Sequence, residues 1–289
     1  MAHEVAGDLH LHTTASDGTD TLANRVSQAK EAGLAAFAVT DHDRISDDLG
    51  DRRLHREGVE VVTGVEARAD IQDTKVEILG YYVDPAAESL GEILTDARRY
   101  RRARNREMVE RLSDATGESY SYEGLRSEAD GQLGRPHVAG ALVERGVVDS
   151  VGEAFDEHLA PGGSSYVPMK RPHYERVLDA IHDAGGVASL AHPGRIRSDE
   201  AEVFVRKLCE AGLDAIEVWY PYGRSGPTRH SPIGVEEADS LAAELDILRT
   251  GGSDCHGQDS GKYRIGNTGV GTADLDALRD AANRRRPLD

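Results

Sequence analysis

Cysteine is scarce in this sequence. Cys209 and Cys255 are the two cysteines among 289 residues, and they lie far apart along the chain. Two isolated cysteines exclude a disulfide framework and a Cys-x-x-Cys metal motif. We therefore expect both thiols to be reduced and structural, so that any metal site must be built from other side chains.

Long hydrophobic runs are absent as well. No apolar stretch approaches the roughly 18 residues of a membrane-spanning helix, and no basic segment followed by an apolar one stands at the start. The pattern indicates neither a membrane partner nor secretion, and it predicts a cytoplasmic protein. With 38% hydrophobic residues, the chain can bury a sizeable core, and one barrel-sized domain with an insertion fits its length as well as two small domains.

Lysine is rare, and basic residues are outnumbered. Five of the 34 basic residues are lysine, whereas aspartate and glutamate total 52, which gives a formal net charge of −18. Acidic surfaces that favour arginine over lysine are typical of proteins kept soluble in concentrated salt, so a halophilic source is predicted. The same charge argues against stable binding of duplex nucleic acid, and a polyanionic substrate must be held locally by metals and a few arginines.

Two histidines stand two positions apart near the start of the chain. If residues 5–12 form a strand, alternation places His10 and His12 on one face, about 6.6 Å apart. Asp17 follows in a Ser-Asp-Gly turn that can fold back over the strand end. A lone His-x-His is more typical of an edge strand with solvated side chains. Four further clusters of His, Asp and Glu after apolar runs favour a metal site instead.

Apolar strands alternate with amphipathic helices along most of the chain. Helices are predicted over residues 20–32, 47–57, 174–184, 199–211 and 235–244, and strands over residues 5–12, 35–40, 60–66, 75–83, 187–191, 215–219 and 246–252. Residues 100–165 carry helical patterns and no strand pattern. This order indicates an α/β fold, with residues 1–99 and 166–289 forming a barrel domain and residues 100–165 a small helical insertion domain.

Metal-ligand side chains follow five of the predicted strands. The carboxyl ends of the strands in an α/β barrel meet on one face, so we expect these side chains to converge. Mixed imidazole and carboxylate ligands suit Mn, Zn or Fe(II), and Mg is also compatible with the carboxylates. The set exceeds the needs of one ion and predicts two or three divalent ions; it consists of His10, His12, Asp17, His42, Glu66, His192, Asp254 and His256.

Closely spaced divalent ions favour one kind of chemistry. They generate hydroxide at neutral pH and clamp the attacking and leaving oxygens of a phosphoryl transfer. Hydrolysis of phosphoesters by a metal-activated hydroxide is therefore the leading hypothesis, and no side chain is assigned as the nucleophile.

The motifs that carry these ligands resemble those of the PHP (polymerase and histidinol phosphatase) superfamily over nearly the whole chain. In chain order they are Asp-Leu-His-Leu-His with Ser-Asp-Gly-Thr, Val-Thr-Asp-His-Asp, Gly-Val-Glu, Ala-His-Pro and Gly-Ser-Asp-Cys-His. The resemblance implies a distorted TIM-like (β/α) barrel with three metals. One metal would take His10, His12, Glu66 and Asp254, a second would share Glu66 and take His192, and a third would take Asp17, His42 and His256.

Three further segments resemble one subfamily more narrowly. They are Gly-Arg-Pro-His at residues 134–137, Tyr-Val-Pro at 166–168 and Ile-His-Asp-Ala-Gly-Gly at 181–186. The subfamily hydrolyses 3′,5′-nucleotide bisphosphates and trims short 5′-phosphorylated RNA. The resemblance implies a small phosphorylated substrate, a nucleotide or a short oligonucleotide.

One position departs from the family. The strand after Gly-Val-Glu commonly holds a histidine ligand, and here Glu77 stands in its place. A carboxylate still binds Mn or Mg, so the second site either survives with an altered metal preference or is looser and partly occupied. Asp41 and Asp43 flank His42 and are interpreted as groups that orient it or cap its loop.

Substrate contacts are predicted at Arg135 and His137, in the insertion, and at Arg195, just after His192. Arginine offers a bidentate fork to phosphate, and the insertion could close over the barrel mouth. In the alternative, Arg135 pairs with a surface acid and His137 only starts a helix. The arginine-rich run over residues 98–106 is interpreted as a solvated helical face, because its arginines point to all sides of a helix.

Three functional hypotheses follow. The first is a nucleotide bisphosphate phosphatase or small 5′-3′ exoribonuclease, and the second is a histidinol-phosphate phosphatase on the same barrel. The third is a metal-stabilised binding module without catalysis. The complete ligand set argues against the third, and the helical insertion favours the first over the second. The sequence leaves the oligomeric state open.

Overall fold

A computed structural model of the protein describes residues 4–129, 133–223, 228–261 and 264–288. The chain divides into two compact units. The sheet unit contains Met1–Thr95 and Arg171–Asp289, and the helical unit contains Asp96–Lys170.

Eight strands form one sheet in the sheet unit. They are β1 (Gly7–Leu11), β2 (Ala36–Val39), β3 (Arg53–Arg56), β4 (Val59–Ile71), β5 (Thr74–Tyr81), β6 (Val187–Leu190), β7 (Ala215–Trp219) and β8 (Leu248–Gly251). Their spatial order is β1-β2-β4-β5-β6-β7-β8, and β3 pairs with β4 beside this path. The sheet curls into an open half-barrel.

The strand directions differ from those of a regular TIM-like barrel. β1, β2 and β4 run parallel, as do β6, β7 and β8, but β5 is antiparallel to both of its neighbours. Among the described residues, β1 and β8 share no ladder, although a single bridge joins Leu11 to Cys255 just beyond β8. The distorted TIM-like barrel that the resemblance implied is therefore observed as an open, curled sheet of mixed strand direction.

Nine α-helices accompany the sheet in the described parts of the chain. They are α1 (Leu22–Glu31), α2 (Glu88–Thr116), α3 (Tyr122–Glu128), α4 (Arg135–Glu144), α5 (Val151–Ala154), α6 (Tyr174–Asp183), α7 (Ala201–Glu210), α8 (Val235–Glu244) and α9 (Thr272–Arg285). A π-helical turn, Phe155–Leu159, continues α5. None of the described helices is both long enough and apolar enough to cross a membrane.

The core of the sheet unit lies where these helices cover the sheet. Leu22, Val26 and Ala29 of α1 are buried, which confirms the predicted apolar face of this helix. On another face, Ile181 of α6 and Phe204 of α7 pack in one apolar cluster with residues of β4 to β7. Because each helix buries one apolar stripe, the sheet is held rigidly and can fix the side chains at its strand ends.

One predicted element is wrong. Residues 47–57 were expected to form a helix, but Arg53–Arg56 is the strand β3, antiparallel to β4. Glu57 and Gly58 connect the two strands with φ values of 50° and 85°. Two consecutive left-handed residues fit the tight turn whose twist matches that of a hairpin. Strand pairing therefore outweighs the local helical pattern here.

The helical unit has its own apolar core. Met108 and Leu112 of α2 pack with Leu125 of α3 and with Val138 and Leu142 of α4. Gly134 is the N-cap of α4 and Ser150 is the N-cap of α5, and the Ser150 side chain accepts a hydrogen bond from the amide of Glu153. The described residues of this unit contain no strand.

Candidate metal centre

The predicted ligands lie on or just beyond the strands of the sheet. His10 is on β1, His12 and Asp17 follow it, and the other members follow β2, β6 and β8 or lie within β4. β4 is longer than predicted, so that Glu66 lies in its middle, opposite Leu79 of β5.

Glu66 is the point at which the imidazoles meet. Its carboxylate oxygens lie 3.6 Å from Nε2 of both His10 and His12, 2.7 Å from Nδ1 of His42 and 2.9 Å from Nε2 of His192. Glu66 is almost completely buried. One carboxylate thus connects four histidines that are widely separated in the sequence.

The remaining predicted ligands complete the cluster. Asp254 Oδ1 is 3.2 Å from His12 Nε2 and 3.8 Å from His10 Nε2. Asp17 lies 3.6 Å from Nε2 of His256 and 3.7 Å from Nε2 of His42. All eight predicted side chains are therefore brought to one place.

Three sets of ligand atoms within the cluster are close enough together to hold an ion. They are His10, His12 and Glu66; His12, Asp17, His42 and His256; and His42, Glu66 and Glu77. His12 belongs to two sets, whereas the resemblance implied a role at the first metal alone.

Several of these atoms are buried without a hydrogen bond. Among the described residues, they are Nε2 of His10, both ring nitrogens of His12, Nδ1 of His42 and Oε2 of Glu66. Leaving buried polar atoms unsatisfied costs about 1–3 kcal/mol each, and such clusters call for a missing partner. Imidazole and carboxylate atoms that converge in this way fit divalent cations, which would satisfy them together.

The charges inside the cluster are strongly coupled. Burial lowers the pKa of His10, but the carboxylates of Glu217 and Glu66 outweigh it and raise this pKa well above its usual range. Burial raises the pKa of Asp17, yet His42, His12 and His256 bring it down to about 2. Without an ion, the raised pKa of His10 favours a protonated imidazole, and metal binding at this side chain must displace its proton.

Two ligand residues have unusual backbone conformations. His192 has φ 27° and Asp254 has φ 53°, both in the left-handed region that most residues avoid. Strained residues of this kind concentrate at functional sites. At Gly252, just after β8, an added Cβ would lie 2.4 Å from the backbone nitrogen of His10, so only glycine permits this close approach of the chain to β1.

Glu217, in the middle of β7, was missed in the sequence. It is fully buried, its Oε1 lies 2.9 Å from Nδ1 of His10, and its Oε2 accepts a hydrogen bond from the amide of His192 at 2.6 Å. Glu217 therefore orients one ligand ring and the backbone of another. The available signal was a lone carboxylate between Ile216 and Val218 in an apolar strand.

Replacing Glu217 by Gln is expected to weaken Mn binding about 10- to 100-fold, the usual effect of losing a carboxylate that orients a histidine ligand. The amide keeps the shape of the side chain but removes its charge beside His10. Isothermal titration with Mn measures the affinity, and Glu236→Gln, an exposed position on α8, is the matched control. Equal affinity in Glu217→Gln and wild type would contradict this role.

Arg195 and Tyr220 lie at the edge of the cluster. The Tyr220 hydroxyl donates to Oδ2 of Asp254 at 2.6 Å, and Arg195 donates to the same hydroxyl at 3.1 Å. Arg195 also lies 3.6 Å from Asp254, and its side chain is 40% exposed. Arg195 thus keeps a partly exposed guanidinium beside the ligand set. The role of Tyr220 was not predicted from the sequence.

Arg25, on α1, is a further residue that the sequence did not reveal. It is fully buried and donates two hydrogen bonds to the carbonyl of His12, at 3.0 and 2.6 Å, and one to the carbonyl of Cys255 at 2.9 Å. Its guanidinium therefore joins the segment that carries His12 to the segment that carries Asp254 and His256.

Asp41 and Asp43 have different roles. Asp41 accepts hydrogen bonds from Thr13 and Ser16, and so fixes the loop between His12 and Asp17. Asp43 pairs with Arg68 on β4. Of the two interpretations offered above, loop capping describes Asp41.

The two predicted contacts in the helical unit have local partners. Arg135 donates to the carbonyl of Leu159 at 3.3 Å, and its guanidinium lies 5.6 Å from the centre of the Phe155 ring. His137 is exposed, and its Nδ1 accepts a hydrogen bond from the amide of Gly134 at 3.0 Å. These contacts hold the start of α4 and the π-helical turn together.

Comparison with known proteins identifies the family. The PHP domain matches residues 8–184, more than half of the chain. The chain therefore belongs to the PHP family, as its motifs indicated.

Similar proteins cover most of its length. A 5′-3′ exoribonuclease from Salmonella typhimurium is 32% identical over 88% of this chain and 86% of its own. A 3′,5′-nucleoside bisphosphate phosphatase from Chromobacterium violaceum is 30% identical over 90% of both chains. A phosphoribosyl 1,2-cyclic phosphate 1,2-diphosphodiesterase from Eggerthella lenta is 31% identical over 87% of this chain and 94% of its own.

A solved structure from Bifidobacterium adolescentis, described as that of a metal-dependent phosphoesterase, covers 97% of both chains with a TM-score of 0.74 and 30% identity. The likeness extends over both units of the chain.

Proposed function

We propose that this PHP-family phosphoesterase hydrolyses phosphomonoesters of nucleotides, 3′,5′-nucleotide bisphosphates above all, and trims short 5′-phosphorylated RNA. The main support is the set of buried imidazole and carboxylate atoms without hydrogen bonds around Glu66. The relatives from S. typhimurium and C. violaceum, which are by name a 5′-3′ exoribonuclease and a 3′,5′-nucleoside bisphosphate phosphatase, support the substrate class.

The residues of the centre have separable roles in this proposal. When bound, divalent ions lower the pKa of water and offset charge on the phosphoryl oxygens. His10, His12, Glu66 and Asp254 would hold one ion, and Asp17, His42 and His256 another. Arg195 would bind a phosphoryl oxygen with the face of its guanidinium that Tyr220 leaves open, because arginine forms strong charge-assisted hydrogen bonds to phosphate.

The helical segment 100–165 is proposed as an inserted domain that contributes substrate contacts through Arg135 and His137. A substrate with two phosphates, such as a 3′,5′-bisphosphate, needs a second cationic group in addition to the one that serves the reacting phosphate. Arg135 would supply it.

Replacing Arg135 by Ala should therefore raise KM for a bisphosphate and lower kcat/KM. The fall in kcat/KM should correspond to a loss of transition-state stabilisation of about 1.5–3 kcal/mol, the value of a hydrogen bond to a charged group. Arg145→Ala is the matched control, since Arg145 lies on the same unit and also stacks on a ring, at 4.5 Å from Tyr120. Equal kinetics for wild type and Arg135→Ala would assign Arg135 a purely local role.

The function is tested by phosphate release from adenosine 3′,5′-bisphosphate, a 5′-phosphorylated oligonucleotide, histidinol phosphate and a cyclic phosphodiester, each with added Mn. We expect the highest kcat/KM with the first two. Preference for histidinol phosphate would favour the alternative phosphatase, and preference for the cyclic diester would favour an activity like that of the E. lenta relative. No turnover of any of them with Mn bound would favour a binding module.

A further inference from the structure

The position of Glu77 differs from the rest of the metal centre in its contacts. Glu77 lies on β5 and is 6% exposed, and its Oε2 is 3.6 Å from Nε2 of His192. With Glu66 and His42 it forms one of the three sets that are close enough to hold an ion. Its surroundings, however, already contain cations.

Both carboxylate oxygens of Glu77 face a basic side chain. Oε2 accepts a hydrogen bond from Nζ of Lys75 at 2.7 Å, and Oε1 lies 3.3 Å from Nε of Arg68. Glu77 is therefore a buried carboxylate with a basic side chain of the protein beside each of its two oxygens.

Arg68 is held in place by more than Glu77. It stands directly opposite Glu77 in the β4–β5 ladder, its Nη1 pairs with Asp43, and its amide donates to Oδ1 of Asp43 at 3.0 Å. Its side chain is 13% exposed. Since an arginine stays protonated in proteins, this charge is permanent.

Among the described residues, Glu77 contributes none of the atoms that lack hydrogen bonds, although His42 and Glu66, which share its set, contribute one each. In the described part of the cluster, the others belong to His10 and His12, and His192 contributes none. Nε2 of His192 is already 2.9 Å from Oε1 of Glu66. A divalent ion bound by Glu77 and His192 would have to break these contacts and lie within a few ångströms of the Arg68 guanidinium, against like-charge repulsion.

We propose that Arg68, paired with Glu77, takes the place of the second metal, so that this chain binds two divalent ions where the ligand set of its family implies three. The guanidinium lies beside Glu77 and Asp43. It supplies the positive charge that an ion would otherwise supply there. This inference rests on the proposed metal centre, and it concerns the number of ions that the centre holds.

The experiment counts Mn per chain by elemental analysis after removal of metals with a chelator, reloading and dialysis. Wild type is expected to retain two Mn. Glu77→Gln should also retain two, because its side chain still accepts from Arg68 and no ion depends on it. The matched variant Glu66→Gln should lose at least one, since Glu66 lies at the centre of the ligand atoms. The double variant Arg68→Ser with Glu77→His should gain a third Mn.

Three Mn in wild type, falling to two in Glu77→Gln, would overturn this inference and leave the proposed metal centre intact. No Mn in wild type would overturn the metal centre itself and this inference with it. A double variant that stays at two, while folded by circular dichroism, would also count against the substitution of Arg68 for an ion.

Discussion

Replacing Asp254 by Asn is expected to leave the fold intact and to lower kcat by at least on the order of a hundredfold. Asp254 lies between His10 and His12, and burial, which raises its pKa, is outweighed by the neighbouring histidines, which lower this pKa well below its usual range. A neutral amide is a weak ligand, and it no longer offsets the positive charge of the ions. A displacement of about 1 Å at a reacting centre costs about a hundredfold in rate.

The backbone at position 254 should tolerate this change. Asparagine adopts left-handed conformations as readily as aspartate, so φ 53° is maintained, and the amide oxygen can still accept from Tyr220. The measurement is kcat with saturating Mn, with thermal unfolding to check the fold. Asp239→Asn, at an exposed aspartate paired with Arg249, is the control. Wild-type kcat in Asp254→Asn would remove Asp254 from the catalytic centre.

Replacing Arg25 by Met is expected to lower the free energy of unfolding of the metal-free protein by about 3–5 kcal/mol, the usual cost of breaking a buried ion pair. Arg25 lies 3.4 Å from Asp20, and methionine fills part of its volume but leaves the carbonyl of His12 without its donors. The carbonyl of Cys255 loses one donor and keeps the amide of His12 at 3.0 Å. The unsatisfied buried carbonyl of His12 adds to the cost. Urea denaturation of both proteins measures the difference.

Arg206→Met is the comparison for this measurement. Arg206 pairs with Glu202 and Glu244 on the surface, and exposed pairs contribute little to stability. Equal losses of unfolding free energy in Arg25→Met and Arg206→Met would show that the buried hydrogen bonds of Arg25 contribute no more to stability than an exposed ion pair.

The residues brought together at the site are largely those that the sequence singled out, because metal ligands must follow strands to meet at one edge of a sheet. The pattern of a polar residue after an apolar run is local, so it can be recognised in the sequence without knowing which strands pair. Strand direction is different. Nothing in the apolar run of β5 says that it lies antiparallel between β4 and β6, so the open, mixed sheet could not be derived from it.

Supporting residues were the hardest to predict. Arg25 looks in sequence like a solvated helix residue, and its role depends on Cys255, which lies 230 positions away. Glu217 interrupts an apolar strand by one carboxylate, which local reasoning assigns to a solvated face. No element was predicted beyond residue 256, although Leu275, Leu278 and Ala282 give α9 a buried stripe at helical spacing.

The hydrogen bond from the amide of Ser253 to the carboxylate of Asp8, at 2.9 Å, joins segments that are 245 positions apart. Contacts of such sequence separation close a very long loop and form slowly during folding. His10 and His12 belong to the segment that contains Asp8, and Asp254 and His256 belong to the segment that contains Ser253. We therefore expect metal uptake to be linked to the latest long-range step of folding: a chain still being synthesised exposes its first histidines on the ribosome long before it can hold an ion with them.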